Sequence, residues 1–222
     1  MSAHALISGF LQYLFLVVLL TFHEWAHAWT AWKRGDDTAR VLGRVSLNPA
    51  VHMDKIGTVI LPLLSIFLRA AGSGLAGFII GWGKPVPVNP YRLHNRRIDG
   101  TLVAMAGPFV NLVLGVLLVG GACLFARQEE SRWMASAAGA CGQMAVISFV
   151  LCFFNLLPIP PLDGSHLLKN ALGMSEEAYM NLCRYGFIAV IIVVQLEPVQ
   201  RVLGMAVEGS VRYSALLFGV RI

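Results

Sequence analysis

Charge is what this chain of 222 residues has little of: Asp, Glu, Lys and Arg make up 13% of it, against 57% hydrophobic residues. That is about half the charged share of a soluble domain, and it excludes an ordinary water-soluble globule. Long stretches hold no Asp, Glu, Lys or Arg at all, which leaves no room for a sizeable soluble domain. Paired cysteines are lacking too. Cys123, Cys141, Cys152 and Cys183 show no C-x-x-C spacing and three lie inside apolar runs, so they read as small packing residues without a disulfide framework. The net charge of +5 falls in short clusters between apolar runs, and no nucleic-acid recognition motif accompanies it. This is the pattern of a membrane protein obeying the positive-inside rule, and no nucleic-acid partner is expected.

What is present predicts an all-α polytopic membrane protein, with residues 1–222 forming one integral membrane domain. Spans are expected over approximately 6–33, 98–126, 134–158 and 185–204, with 56–82 entering and returning. The first run lacks the positively charged start of a signal peptide, although Ala26-His27-Ala28 mimics a cleavage site, so it is read as a retained span. The first basic residue is Lys33, and Arg34, Arg40, Arg44 and Lys55 follow it. The N-terminus should therefore face outward and the basic loop the cytoplasm. Residues 56–83 are apolar but broken by Arg69 and several glycines, and both flanks are basic, so this segment should return to the side it entered from. Glu197-Pro198 is expected to end or kink the last span. The C-terminal residues beyond it mix charge with apolar positions, as an interfacial segment does.

The first apolar run contains Thr21-Phe22-His23-Glu24-Trp25-Ala26-His27, an H-E-x-x-H pattern. Residues four apart share a helix face, so His23 and His27 can offer imidazole nitrogens to one zinc ion, with Glu24 beside it as general base. The bland alternative is two structural histidines and a Glu24 paired with an arginine. It is expensive, because an intramembrane charge costs about 2.5–3.5 kcal/mol even on lenient insertion scales. A hydrolytic zinc needs a third protein ligand and an open position. Asp163, within Asn155-Leu156-Leu157-Pro158-Ile159-Pro160-Pro161-Leu162-Asp163-Gly164, is the best candidate. His27 lies about 9 Å of helix rise before Lys33, and Asp163 closes an outside-to-inside run at the same membrane face. For Asp163 the alternative is an exposed turn residue before Gly164, while His52, Asp54 and His166 are set aside as third ligand because each stands among loop charges.

These residues carry a resemblance to the site-2 proteases, the intramembrane zinc metalloprotease family. Three blocks match: His23 to His27, Ala106-Gly107-Pro108-Phe109-Val110-Asn111, and Asn155 to Gly164. The resemblance extends to Ser46 to Asp54 and to Gly81 to Pro90, which look like blocks of a small bacterial branch without PDZ or CBS domains. It implies a core of three transmembrane helices carrying one zinc per chain on His23, His27 and Asp163, with Glu24 as base and later proton donor. It places Asn111 and Asn155 near the substrate backbone or oxyanion; interhelical hydrogen bonding is the equal alternative for each. His166 stands where an arginine is common after the Asp-Gly pair.

The expected reaction is hydrolysis of peptide bonds in or near transmembrane segments, in regulated intramembrane proteolysis or in clearance of membrane peptides. The partners are then a transmembrane protein or peptide substrate and the lipid bilayer, with a homo-oligomer left open. The expected location is the inner or plasma membrane, multi-pass, with the active site toward the cytoplasm. A small strand or re-entrant element should hold the unwound substrate: Pro85-Val86-Pro87-Val88 pairing with Val41 to Leu47, or else a polyproline connector. A metal-binding membrane transporter would use scattered His and Met instead, and a non-catalytic membrane scaffold would have no use for Glu24.

Overall fold

The computed structural model describes residues 3–73, 81–127 and 131–220. These fall into two compact units, Met1–His94 and Asn95–Ile222. The first unit is built on α1 (Ala3–Lys33). No glycine or proline interrupts the chain from Phe10 to Arg34, so nothing breaks the intrahelical ladder through the H-E-x-x-H residues. Gly35, at φ 104°, ends the helix in a left-handed turn that a side chain would strain. A short helix α2 (Thr38–Val41) follows, then a 3-10 turn at Pro49–Val51 and a π-helical turn at Lys55–Ile60 that runs into α3 (Leu61–Ala70). Asp54 opens the π-helical turn by accepting from the amides of Ile56 (3.0 Å) and Gly57 (2.7 Å).

Residues 81–94 are irregular and are stitched back onto this unit by polar side chains. The fully buried Asp36 accepts from Thr38 N with one carboxylate oxygen and from Asn89 N, at 2.6 Å, with the other. Thr58 Oγ1 donates to Trp82 O at 2.7 Å. The strand expected at Pro85–Val88 against Val41–Leu47 does not form, and among the described residues there is no strand. Val41 is the last residue of α2, and the amide and carbonyl of Lys84 are already bonded elsewhere, to His52 O (2.9 Å) and Arg44 Nη2 (2.5 Å). With three prolines close behind, too few free donors remain to open a ladder. The return of the expected 56–82 segment falls on 74–80, outside the described residues.

The second unit contains α4 (Arg96–Ala126), α5 (Arg132–Asn155), α6 (Gly164–Ala171), α7 (Glu176–Val194) and α8 (Glu197–Leu217). Asn95 caps α4 through the amides of Arg97 and Ile98, both at 3.1 Å, while Asp99 accepts from Asn95 N at 2.7 Å. A close α4–α5 approach is enforced at Gly115, where a Cβ would stand 2.5 Å from the ring of the fully buried Phe149. The core here joins Val119 and Cys123 of α4, Ala145 and Phe149 of α5, and Ala215 of α8. Cys123 and Cys152 are buried free thiols, as packing residues should be.

Helices α1, α4, α5 and α7 are each long and apolar enough to cross a membrane. The protein is therefore an all-α, multi-spanning membrane protein. The last span, expected over 185–204 with an end or kink at Glu197-Pro198, begins earlier, as α7 at Glu176, and stops at Val194. Pro198 lies in the first turn of a separate helix, α8, where its missing amide removes no hydrogen bond. Alpha8 carries the exposed i,i+4 ion pairs Glu197–Arg201 and Glu208–Arg212.

Candidate metal centre

On α1 the side chains of His23, Glu24 and His27 are all buried, with relative exposures of 3%, 9% and 7%. His23 Nε2 and His27 Nε2 approach to 3.1 Å, with the rings edge to face. Two imidazoles on a tetrahedral zinc, each about 2.0–2.1 Å from the metal, have their nitrogens about 3.4 Å apart. The pair thus already converges as two ligands of one ion would, and the donor set fits zinc.

Glu24 is enclosed by groups far from it in sequence. A Cβ on Gly83 would stand 3.2 Å from Glu24 Oε1 and 3.1 Å from Leu20 Cδ2, so the Gly81–Lys84 segment passes directly over the carboxylate. Two further residues feel the charge of Glu24. Arg44, 5% exposed, donates from Nη2 to Lys84 O. Burial lowers the pKa of its guanidinium and Glu24 opposes that shift. His52, 1% exposed, has its Nε2 on Ser46 O at 2.7 Å. Its pKa is lowered by burial first, with the Ser46 carbonyl raising it, Arg44 lowering it and Glu24 raising it. His52, set aside as a third zinc ligand, is nonetheless among the most buried side chains of the first unit. The signal for Arg44 and His52 was weak. His52 lies inside the Ser46–Asp54 block that resembles the family, and Arg44 lies just before it.

In the second unit Asp163 is half-buried at the head of α6. Gly164 behind it is required sterically, since a Cβ there would lie 2.2 Å from Leu156 O. His23 and His27 in the first unit and Asp163 in the second each carry a side chain of the type that ligates zinc. Asn111 is fully buried on α4, where Ser148 Oγ donates to its backbone carbonyl at 2.7 Å. Asn155 is half-buried and its Nδ2 donates to Leu151 O at 2.9 Å, within its own helix. The ring of His166 lies 5.0 Å from that of Tyr179.

A buried H-E-x-x-H face on an apolar helix of spanning length defines the class: a helical membrane protein built for a catalytic metal. The chain belongs to peptidase family M50, whose profile matches residues 120–194. It is 36% identical over 184 residues to the Bacillus subtilis protein named "Putative zinc metalloprotease YwhC", an alignment covering 80% of this chain and 76% of that one. Mycobacterial proteins named "Putative zinc metalloprotease Rip2" are also similar. The Mycobacterium tuberculosis protein is 35% identical over 154 residues, covering 69% of this chain and 54% of its own length. The Mycolicibacterium smegmatis protein is 33% identical over 174 residues, covering 78% and 62%. No solved structure matches the chain.

Proposed function

We propose that this chain is an intramembrane zinc-dependent endopeptidase that hydrolyses peptide bonds in or near transmembrane segments of membrane proteins. The observation that carries the reading is the buried face of α1, where Glu24 stands beside two imidazole nitrogens 3.1 Å apart. His23, His27 and Asp163 would hold one zinc, which supplies a Lewis acid for the scissile carbonyl and acidifies water. Glu24 takes the proton from the attacking water and returns it to the leaving amine. Burial keeps this carboxylate away from bulk water, and the backbone at Gly83 limits its movement. Asn111 and Asn155 are the amides proposed to hold the substrate backbone or the oxyanion. The chain acts as one integral membrane protease domain with its active site toward the cytoplasm, a reading supported by the basic residues that follow α1.

Glu24→Gln preserves shape and a hydrogen-bonding amide but cannot serve as base. Zinc content should stay near one per chain, while cleavage of a helix-destabilised transmembrane reporter in liposomes falls at least about a hundredfold. Undiminished cleavage by the zinc-loaded variant would end the protease reading. A transporter or scaffold would show no catalytic loss.

A further inference from the structure

The residues that lead into Asp163 form a series of turns, with Ile159 N on Leu157 O and Leu162 N on Ile159 O, both at 2.8 Å. Between the end of α5 and α6 the chain passes through Pro158, Pro160 and Pro161, and α6 is short. On one side α6 is tied to α4, where Asn170 Nδ2 donates to Thr101 Oγ1 at 2.6 Å; on another the turn is backed by α7. A Cβ on Gly186 would lie 2.0 Å from Pro160 O, so the α7 backbone presses directly on the proline segment. Lys169 of α6 pairs with Glu176 at the start of α7, at 2.5 Å.

A directed hydrogen-bond relay then runs from α7 to the peptide that carries Asp163. Ser165 Oγ donates its one proton to Leu162 O at 2.5 Å. The 2.8 Å contact between Ser165 Oγ and Tyr179 Oη must therefore use the tyrosine proton, with Tyr179 as donor. Both side chains are buried, at 1% and 5% exposure. The Tyr179 ring is covered by His166 and by the Lys169 ammonium, each 5.0 Å away. Leu162 O, which also accepts from Ser165 N at 3.0 Å, belongs to the peptide group whose nitrogen is that of Asp163, so the relay adds a second tie on the plane from which the Asp163 side chain departs.

We propose that α7 braces the third metal ligand and that Tyr179 is a positioning residue which, through Ser165, sets the affinity of the site for zinc. This rests on the reading of Asp163 as a ligand. Groups that orient metal ligands typically control affinity by about 10–100-fold, whereas a residue that only holds helices together changes stability instead.

The test is competition for zinc between a chromophoric chelator and the full-length chain in detergent, for wild type, Tyr179→Phe, Ser165→Ala, the double variant and Asp163→Ala. Thermal unfolding of each zinc-free protein is measured alongside. Tyr179→Phe keeps the ring and its packing, so the zinc-free protein should unfold near the wild-type temperature while zinc affinity drops about tenfold or more. The double variant should be no weaker than the weaker single variant, because both changes cut one relay. Wild-type zinc affinity in Tyr179→Phe, with affinity lost in Asp163→Ala, overturns the brace and leaves the ligand standing. Full affinity in Asp163→Ala overturns the ligand assignment itself.

Discussion

At the scale of residues, Arg44 and His52 have an importance that their sequence surroundings conceal. Arg44 places a guanidinium out of water to hold one carbonyl, Lys84 O, and so keeps the Gly81–Lys84 segment over Glu24. Arg44→Met would leave that carbonyl unpaired, at a cost of about 1–3 kcal/mol. The measurement is unfolding in detergent, together with reporter cleavage, which should fall as the segment over Glu24 loosens. For His52, burial sets the sign of a pH effect. Its folded-state pKa lies below the ordinary 6.5, so as pH falls the unfolded chain takes up the proton first. The neutral imidazole thus stabilises the fold above about 6.5, and that contribution is lost as pH falls toward the folded value. Wild type should lose melting temperature more steeply between about pH 7 and 5 than His52→Gln, which keeps a donor for Ser46 O. Equal slopes would show that His52 is not buried in its neutral form.

At the scale of elements, glycines decide how closely backbones meet. Gly115 lets α4 approach α5 over Phe149, and Gly164 lets the start of α6 fold under Leu156 O. The obstacles differ in kind. At Gly115 a methyl would meet a ring, and overpacking of this sort costs about 1–3 kcal/mol. At Gly164 it would meet a carbonyl oxygen of the backbone at 2.2 Å, and only movement of the Asp163 turn could relieve the clash. Gly164→Ala should therefore lose zinc affinity as well as stability, whereas Gly115→Ala should lose stability and bind zinc normally once folded. Chelator competition and thermal unfolding of the two variants separate these outcomes. The existence of α1, α4 and α5 was legible in the sequence because long apolar runs report helices locally. The break at Glu197-Pro198 was legible too, but the helix that resumes there as α8 was not, since Pro198 signals a helix start as readily as a break.

At the scale of the whole molecule, four helices of spanning length and a basic loop after the first make orientation testable. The N-terminus should lie outside and the Lys84–Arg97 stretch in the cytoplasm. In a background without the four native cysteines, Asn89→Cys should resist a membrane-impermeant thiol reagent in intact cells and react after permeabilisation. A cysteine near residue 4 should behave oppositely. External labelling at position 89 would reverse the proposed direction of the active site.

By itself the sequence determined the membrane class and the H-E-x-x-H face. Both are local: hydropathy needs only consecutive residues, and two histidines four apart share a helix face whatever surrounds them. The approach of Gly83 and Arg44 to Glu24, the burial of His52, the missing strand and the Tyr179–Ser165 relay were decided only in three dimensions. Most join residues distant along the chain, and none leaves a periodic signal. The Pro85–Val88 alternation reads as a strand until Arg44 and His52 claim the backbone of Lys84 beside it. Which donors meet which acceptors is set by packing, because most buried polar groups find their partners among whatever the fold brings near.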